Sequence, residues 1–420
     1  MSGTTQPSTS GGVWTVALTP FYTEGGCSAR ILGELEGPRG LGVHPGIFAY
    51  RSGRDPSGWT VERPPGAVKR MGVGFQSGRP RRDLELLRTV LRDRTYPALV
   101  HAHLHEGGAI GASLLKLRGV PSVLDLQGSM SEEVAQALPA ASTGWTQRTL
   151  SRVERLVERT AAQVVVSSPG LFASLRQDRR VDPARVHLLQ DGMNPALFPS
   201  TDAARTAVRT AWRRAHGVPE EDVLVGYVGV FAPSQGIDGL LRQVPRMLER
   251  APRLRFFLFG TGSAGSSIAE YRRKSTQPEM KGRVSIPGPL PFPEVPDFLV
   301  ACDIGVTWKL LPTEGNGKMP LYMAAGLPTV AMAGPVSEGY LGPHGENGGL
   351  LAGTEEEAAQ AVIDLAHDPS LRTRLGQRAR ETAVRELDWV GVARRLAEIY
   401  ALATEGRFAL GAEDRPRSSM

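Results

Sequence analysis

Short β-branched apolar runs alternate along this chain with longer stretches of helical period. In the first half the runs predict strands at Val13–Thr19, Ala98–His103, Ser122–Leu126, Gln163–Ser167 and Val186–Leu189. Between them, apolar residues three and four apart predict helices around Arg82–Arg92, Gly108–Leu117, Trp145–Ala161 and Gly170–Leu175. The second half repeats the alternation. Strands are expected at Val223–Gly229, Leu254–Phe259, Val284–Ile286, Asp303–Thr307 and Pro328–Met332, and helices at Gly239–Arg250, Ser266–Ser275, Glu294–Ala301 and Lys318–Ala325. Helical segments at Glu355–His367, Ser370–Glu386 and Val390–Glu405 close the chain. Nearly continuous apolar strands separated by helices imply parallel sheets covered on both faces. Two such sets, split around Phe198–Asp202, predict an α/β protein of two Rossmann-like, doubly wound domains. The expected division is 13–198, 199–388 and a last helix at 389–405, with polar ends at 1–12 and 406–420 too poor in apolar residues to fold.

Composition narrows the class. The chain has 420 residues, 41% hydrophobic and 22% charged, enough for two cores. Its 49 Gly and 32 Pro carry no period, which excludes collagen-like repeats. Two cysteines, Cys27 and Cys302, cannot form a disulfide framework or a zinc site. No apolar run reaches the roughly 18 residues of a membrane span, and residues 1–12 lack the apolar core of a signal peptide; the expectation is a cytoplasmic protein. The net charge of +6 comes mostly from arginine, with lysine only at 69, 116, 274, 281, 309 and 318. That balance suits phosphorylated small molecules, and no finger, RGG or aromatic-basic platform points to nucleic acid.

In open parallel sheets, ligands bind beyond the carboxyl ends of the strands, so the following loops are the places to look for chemistry. The first strand leads into TPFYTEGG (19–26), where Gly25 and Gly26 open a helix and free N–H groups favour an anion. Gly260, Gly262 and Gly265 spell Gly-x-Gly-x-x-Gly after the strand 254–259. A dinucleotide site needs an acid at the end of the next strand, however, and ValSerIleProGly has none. The stretch 313–331 is the most informative. A glycine-bearing loop enters a helix whose first turn carries Lys318, a position that opposes the helix dipole unless an anion sits there.

His101, His103 and His105 alternate, which would put all three on one side of an extended chain; Glu106 is the neighbouring carboxylate for a metal. The balance of this reading is no metal, with His103 and His105 facing an acceptor and His103 able to take its proton. The helix 146–161 carries Arg148, Arg152, Arg155 and Arg159. Interleaved Glu154 and Glu158 make it a solvated face, so no membrane contact is expected.

Several of these segments carry a family resemblance. KMPLYMAAGLPTV (318–330) resembles the Lys-x-x-Glu-Tyr-Met-Ala-x-Gly-x-Pro-x-Val segment of retaining, nucleotide-sugar-dependent glycosyltransferases of the GT-B fold, family 4. GYVGVFAPSQGIDGLL (226–241) resembles the start of that family's donor domain, and FLFGTG (257–262) its next strand and turn. LLQDGMNPALF (188–198) resembles the stretch before its linker, and VHAH (100–103), DLQGS (125–129) and VVVSS (164–168) fall at matching places in the first domain. DWVGVARRLAEIY (388–400) resembles the last helix, which in GT-B proteins crosses back to the N-terminal domain.

The resemblance implies an acceptor domain followed by a donor domain, with transfer of a sugar from a UDP- or GDP-linked donor to a small-molecule acceptor. It also implies retained configuration, no obligatory metal or other cofactor, and a diphosphate cradle of Lys318, the N–H groups of Asn316, Gly317 and Lys318, and those of Gly25 and Gly26. Glu314 is implied for donor-sugar or ribose hydroxyls, and Gly229, Gln235, Gly262, Leu290 and Leu321 line the donor side by position. Gln127 and Asp191 stand on the acceptor side, where the family has His and Asn.

The departures are specific. The family's Arg and Lys after the first donor-domain strand are Val230 and Gln235 here, though a subgroup also drops both and keeps the lysine. Its Glu-x7-Glu pair falls on Thr313 and Leu321, and Leu321 cannot accept a ribose hydrogen bond. Such a pattern suits specialised metabolism with an uncommon sugar. A non-catalytic GT-B partner subunit and a nucleotide-sugar epimerase are the alternatives.

Overall fold

The computed structural model describes residues 12–19, 21–22, 25–66, 79–131, 134, 144–178, 181–262 and 267–408. Contacts divide the chain into two compact units: residues 1–23, 27–190 and 389–420, and residues 24–26 and 191–388.

The first unit is built on a seven-stranded, all-parallel sheet in the order β3-β2-β1-β4-β5-β6-β7. Its strands are β1 (Val13–Ala17), β2 (Gly46–Ala49), β3 (Val61–Glu62), β4 (Leu99–His103), β5 (Ser122–Leu126), β6 (Gln163–Val166) and β7 (Val186–Leu188). Helices α1 (Gly26–Arg39), α2 (Arg79–Arg92), α3 (Leu104–Arg118), α4 (Gly144–Thr160) and α5 (Pro169–Gln177) alternate with them. The strands β2 and β3 go beyond the expected set, because GIFA and VE are too short to show a period of two.

The second unit holds a six-stranded parallel sheet, β10-β9-β8-β11-β12-β13. It comprises β8 (Val223–Phe231), β9 (Leu254–Gly262), β10 (Val284–Gly288), β11 (Ile304–Thr307), β12 (Thr329–Met332) and β13 (Gly349–Ala352). Its helices are α6 (Asp202–Ala215), α7 (Ile237–Arg250), α8 (Ile268–Ser275), α9 (Val295–Ala301), α10 (Lys318–Ala325), α11 (Pro335–Leu341), α12 (Glu355–His367) and α13 (Pro369–Glu386). Two apolar clusters cover the sheet faces, one around Val225, Phe256 and Leu240, the other around Leu224, Phe298 and Tyr322. The unit begins at Asp191 rather than at 199. Met193 pairs with Asp388 in an isolated bridge, and Thr201 caps α6 through a hydrogen bond from Ala204 N, so this stretch is built into the unit and is no free linker.

The last helix, α14 (Trp389–Ala403), packs in the first unit, with Leu396, Ile399 and Tyr400 against Val13, Leu99, Val123 and Val165. Two glycines of α1 make room for it. A Cβ on Gly33 would fall 2.0 Å from the Trp389 ring, and one on Gly37 2.6 Å from the Trp389 carbonyl. Phe408 corrects the expected limit of the tail. It is buried, its ring 5.3 Å from that of Tyr400, and its N–H donates to Thr404 Oγ1 at 2.9 Å. Residues 1–11 and 409–420 lie outside the described residues.

Candidate active site

In the second sheet the strand order reverses between β8 and β11, which are neighbours although the chain passes through β9 and β10 between them. The carboxyl ends of two such strands flank the crevice where doubly wound sheets take their ligands. The sequence places a glycine-bearing turn after β8 and a lysine-bearing loop after β11, and the fold brings the two together.

Lys318 is the first residue of α10, whose preceding Gly317 provides no side-chain cap. Its amino group donates to Gln235 Oε1 at 2.9 Å and Asn316 Oδ1 at 3.2 Å, and lies 5.3 Å from the Tyr227 ring centre. Asn316 is itself buried and fixed by Nδ2 donating to Thr307 Oγ1 at 3.0 Å, at the end of β11. Burial draws the Lys318 ammonium down to about 7, the charge of Lys309 adding to the effect and that of Glu314 opposing it. Gly229 makes the approach possible: its φ is +152°, and a Cβ there would stand 3.0 Å from Lys318 Cε and 2.7 Å from the Tyr227 hydroxyl.

The other donor-side residues divide. Gly317 joins the cluster, and a Cβ on it would meet Asp191 Oδ2 at 3.4 Å. Asp191 therefore sits in the second unit beside the Lys318 loop, its N–H donating to the Tyr340 hydroxyl at 3.1 Å, and not with the first unit's residues as expected. Leu290 and Leu321 lean on the apolar cluster around Leu224. Glu314 is paired within its own loop, its Oε2 lying 2.9 Å from Lys309 Nζ.

The glycine fingerprint also changes meaning. Gly260 and Gly262 belong to β9 itself, where Gly262 is level with Phe231, and Gly265 lies outside the described residues. A Cβ on Gly260 would come within 1.8 Å of the Gly229 carbonyl, so close packing of strand ends requires this glycine. At Gly25 and Gly26 a Cβ would meet nothing within 4 Å, so packing does not explain that pair.

In the first unit the three histidines separate, because the strand ends at His103 and a helix starts at Leu104. His101 and His103 lie 4.3 Å apart by ring centres and are wholly buried. His103 Nδ1 is 3.1 Å from Asp125 Oδ2, and His101 Nδ1 is 2.9 Å from the Tyr400 hydroxyl. Arg30 grips Asp125, its NH2 group 2.7 Å from Oδ1, and also reaches Glu34 at 2.8 Å and the Leu189 carbonyl at 2.9 Å. Burial raises the Asp125 carboxyl, but Arg30 and His103 overcome it and hold the group well below the usual carboxylate range. Burial, with the charges of His103 and Arg30, pushes the His101 imidazole far down. Glu34, His101 and His103 gather as metal ligands could, their ligand atoms within 4.8 Å of one another, yet Arg30 is the cation that this pocket contains. The His103 side chain is about 1% exposed, so in this arrangement it is enclosed by its partners. Gln127 shares its partner, donating from Nε2 to Asp125 Oδ2 at 3.3 Å.

His105 turns the other way, its Nε2 3.3 Å from Glu158 Oε1. Glu154 accepts from Ser129 and Ser131. The two α4 glutamates are thus buried, which corrects the solvated face expected of them. Glu106 binds Arg79 at 3.0 Å. Lys309, Arg30, Glu34 and Asp125 are the residues that sequence reasoning missed. Only Lys309 left a signal, as one of six lysines and on the loop after a strand at the reversal point.

Residues 25–192 match the Glycosyl transferase 4-like domain, and residues 208–382 match Glycosyl transferases group 1. The chain is 26% identical over 413 residues to D-inositol 3-phosphate glycosyltransferase of Thermobispora bispora, covering 91% of this chain and 90% of that one. In structure it is similar to sucrose-phosphate synthase from Thermosynechococcus elongatus (TM-score 0.74, 20% identity, 93% and 98% covered). It is also similar to Anabaena HepE in complex with UDP and glucose (TM-score 0.70, 18% identity, 92% and 98% covered). This chain belongs to the family 4 glycosyltransferases of the GT-B fold, as a divergent member.

Proposed function

We propose that the protein is a retaining glycosyltransferase that moves a sugar from a nucleoside-diphosphate sugar, UDP- or GDP-linked, to a small-molecule acceptor, in the cytoplasm and without a metal. The observation that carries this reading is the Lys318 amino group. It sits at the uncapped start of α10, at the strand-order reversal, held by two neutral amide oxygens and making no ion pair among the described residues. A buried ammonium with neutral partners is short of negative charge. A diphosphate supplies it, and its charge grows as the glycosidic bond to the departing phosphate breaks. A fixed cation with the first N–H groups of a helix stabilises that growth, and losing one such donor typically costs on the order of a hundred-fold in rate. In this reading the leaving phosphate takes the acceptor proton on the same face of the sugar, so no side-chain base is needed and the burial of His103 is no obstacle. Cys27 and Cys302 are not joined in a disulfide, which suits a reducing compartment. No helix among the described residues is long and apolar enough to cross a membrane.

The test is a thermal-shift series with UDP, GDP, dTDP and ADP on wild type and Lys318→Ala, with and without EDTA. A ligand that binds only the folded state raises apparent stability by mass action. A shift with one nucleotide, unchanged by EDTA and lost in the variant, supports the reading. Its absence with all four nucleotides favours the non-catalytic subunit, for which Leu321 in place of a ribose-binding carboxylate is the specific observation.

A further inference from the structure

The loop from 309 to 318 carries a second lysine that the family pattern does not assign. Lys309 is deeply placed, its side chain 7% exposed, and its amino group donates to the Gly315 carbonyl at 2.6 Å and meets Glu314 Oε2 at 2.9 Å. Glu314 is the more open of the two, at 35%. The neighbouring Asn316 takes the amino group of Lys318, so the two ammonium groups bind adjacent residues of one loop, Gly315 and Asn316. The charge of Lys309 also weakens the protonation of Lys318.

Two lysines and one carboxylate leave this loop with one net positive charge, beside the positive end of α10. A nucleoside diphosphate carries more than one negative charge, and Val230 and Gln235 bring no cation from the β8 side. We propose that Lys309 is the second diphosphate-binding cation of this chain, and that Glu314 holds it in the empty protein by occupying the position a phosphate oxygen takes on binding. The chemistry is an exchange of one anionic partner for another. The carboxylate is partly solvated already and gives up little hydration by turning outward, whereas the lysine is enclosed and needs a counter-charge at all times. Phosphate oxygens accept the charge-assisted hydrogen bonds that the carboxylate releases. Glu314 is then a competitor for the diphosphate and not a ligand for sugar hydroxyls.

This inference rests on the donor-binding reading above, and the experiment separates the two. Calorimetric titration of the full chain uses uridine, UMP and UDP, with the guanosine series alongside, on wild type, Lys318→Ala, Lys309→Met and Glu314→Gln. In the expected result, Lys309→Met lowers diphosphate affinity tenfold or more and leaves nucleoside affinity unchanged. Glu314→Gln raises diphosphate affinity several-fold. Lys309→Met with unaltered diphosphate affinity overturns the inference. So does an equal loss for nucleoside and diphosphate, the mark of a loop tether. Should Lys309→Met fail to fold, Glu314→Gln decides: diphosphate affinity at or below wild type overturns the exchange. Loss of binding in Lys318→Ala but not in Lys309→Met overturns this inference alone, whereas a wild type that binds no nucleotide overturns both readings.

Discussion

Lys318 and Gln235 are joined by a 2.9 Å hydrogen bond in which the lysine amino group donates to the glutamine side-chain oxygen. The pair links the loop after β8 to the start of α10, across the two strands where the sheet order reverses. Gln235 stands where the family resemblance expects a second cation. A neutral acceptor there orients the lysine without adding charge, so the ionisation of Lys318 governs how the site meets an anion.

Diphosphate affinity should therefore depend on pH around neutrality. The empty protein holds the Lys318 ammonium at about 7, so binding an anion draws in a proton as the pH rises through that value. Affinity is expected to be highest below pH 7 and to fall toward tenfold per pH unit above it. In Lys318→Ala this slope disappears. Titrations from pH 6 to 9 in buffers of differing ionisation heat measure both the slope and the proton uptake. The same group should affect folding with the opposite trend. Its depressed value means the unfolded chain binds more protons between about 7 and the ordinary lysine value near 10.4, so its contribution makes the empty protein more stable as pH rises through that interval.

Gly229→Ala should damage the site more than it damages the fold. The added Cβ meets Lys318 Cε at 3.0 Å and the Tyr227 hydroxyl at 2.7 Å, at a φ of +152°. Strain of this kind costs about 1–3 kcal/mol. Thermal unfolding should fall by that amount, and diphosphate affinity should fall tenfold or more because the lysine is displaced. Unaltered affinity in a folded variant would show that Lys318 does not need this approach.

The buried Arg30–Asp125 pair is expected to dominate acid stability of the first unit. Asp125 stays ionised in the folded protein well below the value near 3.9 of an unfolded chain. The stability this contributes is complete above that pH and is lost as pH falls toward the folded value. Asp125→Asn removes one of the two buried carboxylates that Arg30 meets, leaving Glu34 at 2.8 Å, and should cost about 3 kcal/mol. It should also flatten the pH dependence below about 4. Chemical denaturation at several acid pH values measures both effects.

Gly33→Ala tests how the last helix is held. The new methyl would lie 2.0 Å from the Trp389 ring, so either the ring or the helix must move. Overpacking typically costs about 1–3 kcal/mol. Limited proteolysis should cut the variant near residue 389 faster than wild type, while nucleotide binding persists if α14 serves only the first unit's packing.

Much of this protein could be read directly from its sequence, because the signals are local. The buried strands β1, β4, β5, β6, β8, β9, β11 and β12 are continuous apolar runs, and the spacing of apolar residues reveals α4, α7, α12 and α13. The lysine at the start of α10, its glycine-bearing loop and the family resemblance that surrounds them are likewise contiguous in the chain. The strands β2, β3 and β13 escaped because their few residues, GIFA, VE and GLLA, carry no β-branched run to mark a strand.

Only the tertiary structure decided which charges meet. Arg30 and Asp125 lie 95 positions apart, and nothing in either segment points to the other. The alternation of His101, His103 and His105 promised a shared face, but helix α3 begins at Leu104 and turns His105 toward Glu158. Glu154 and Glu158 looked solvated because residue type suggests water, whereas nearby serines bind Glu154 and His105 binds Glu158 inside. Lys309 and Glu314 are close in sequence, yet their pairing and burial depend on how the loop folds back toward Asn316 and β11. Periodicity is set by each segment's own geometry, but the partner of a buried charge is set by the path of the whole chain. For that reason the sequence determined the architecture and the place of Lys318, and the folded structure determined the charges that act with it.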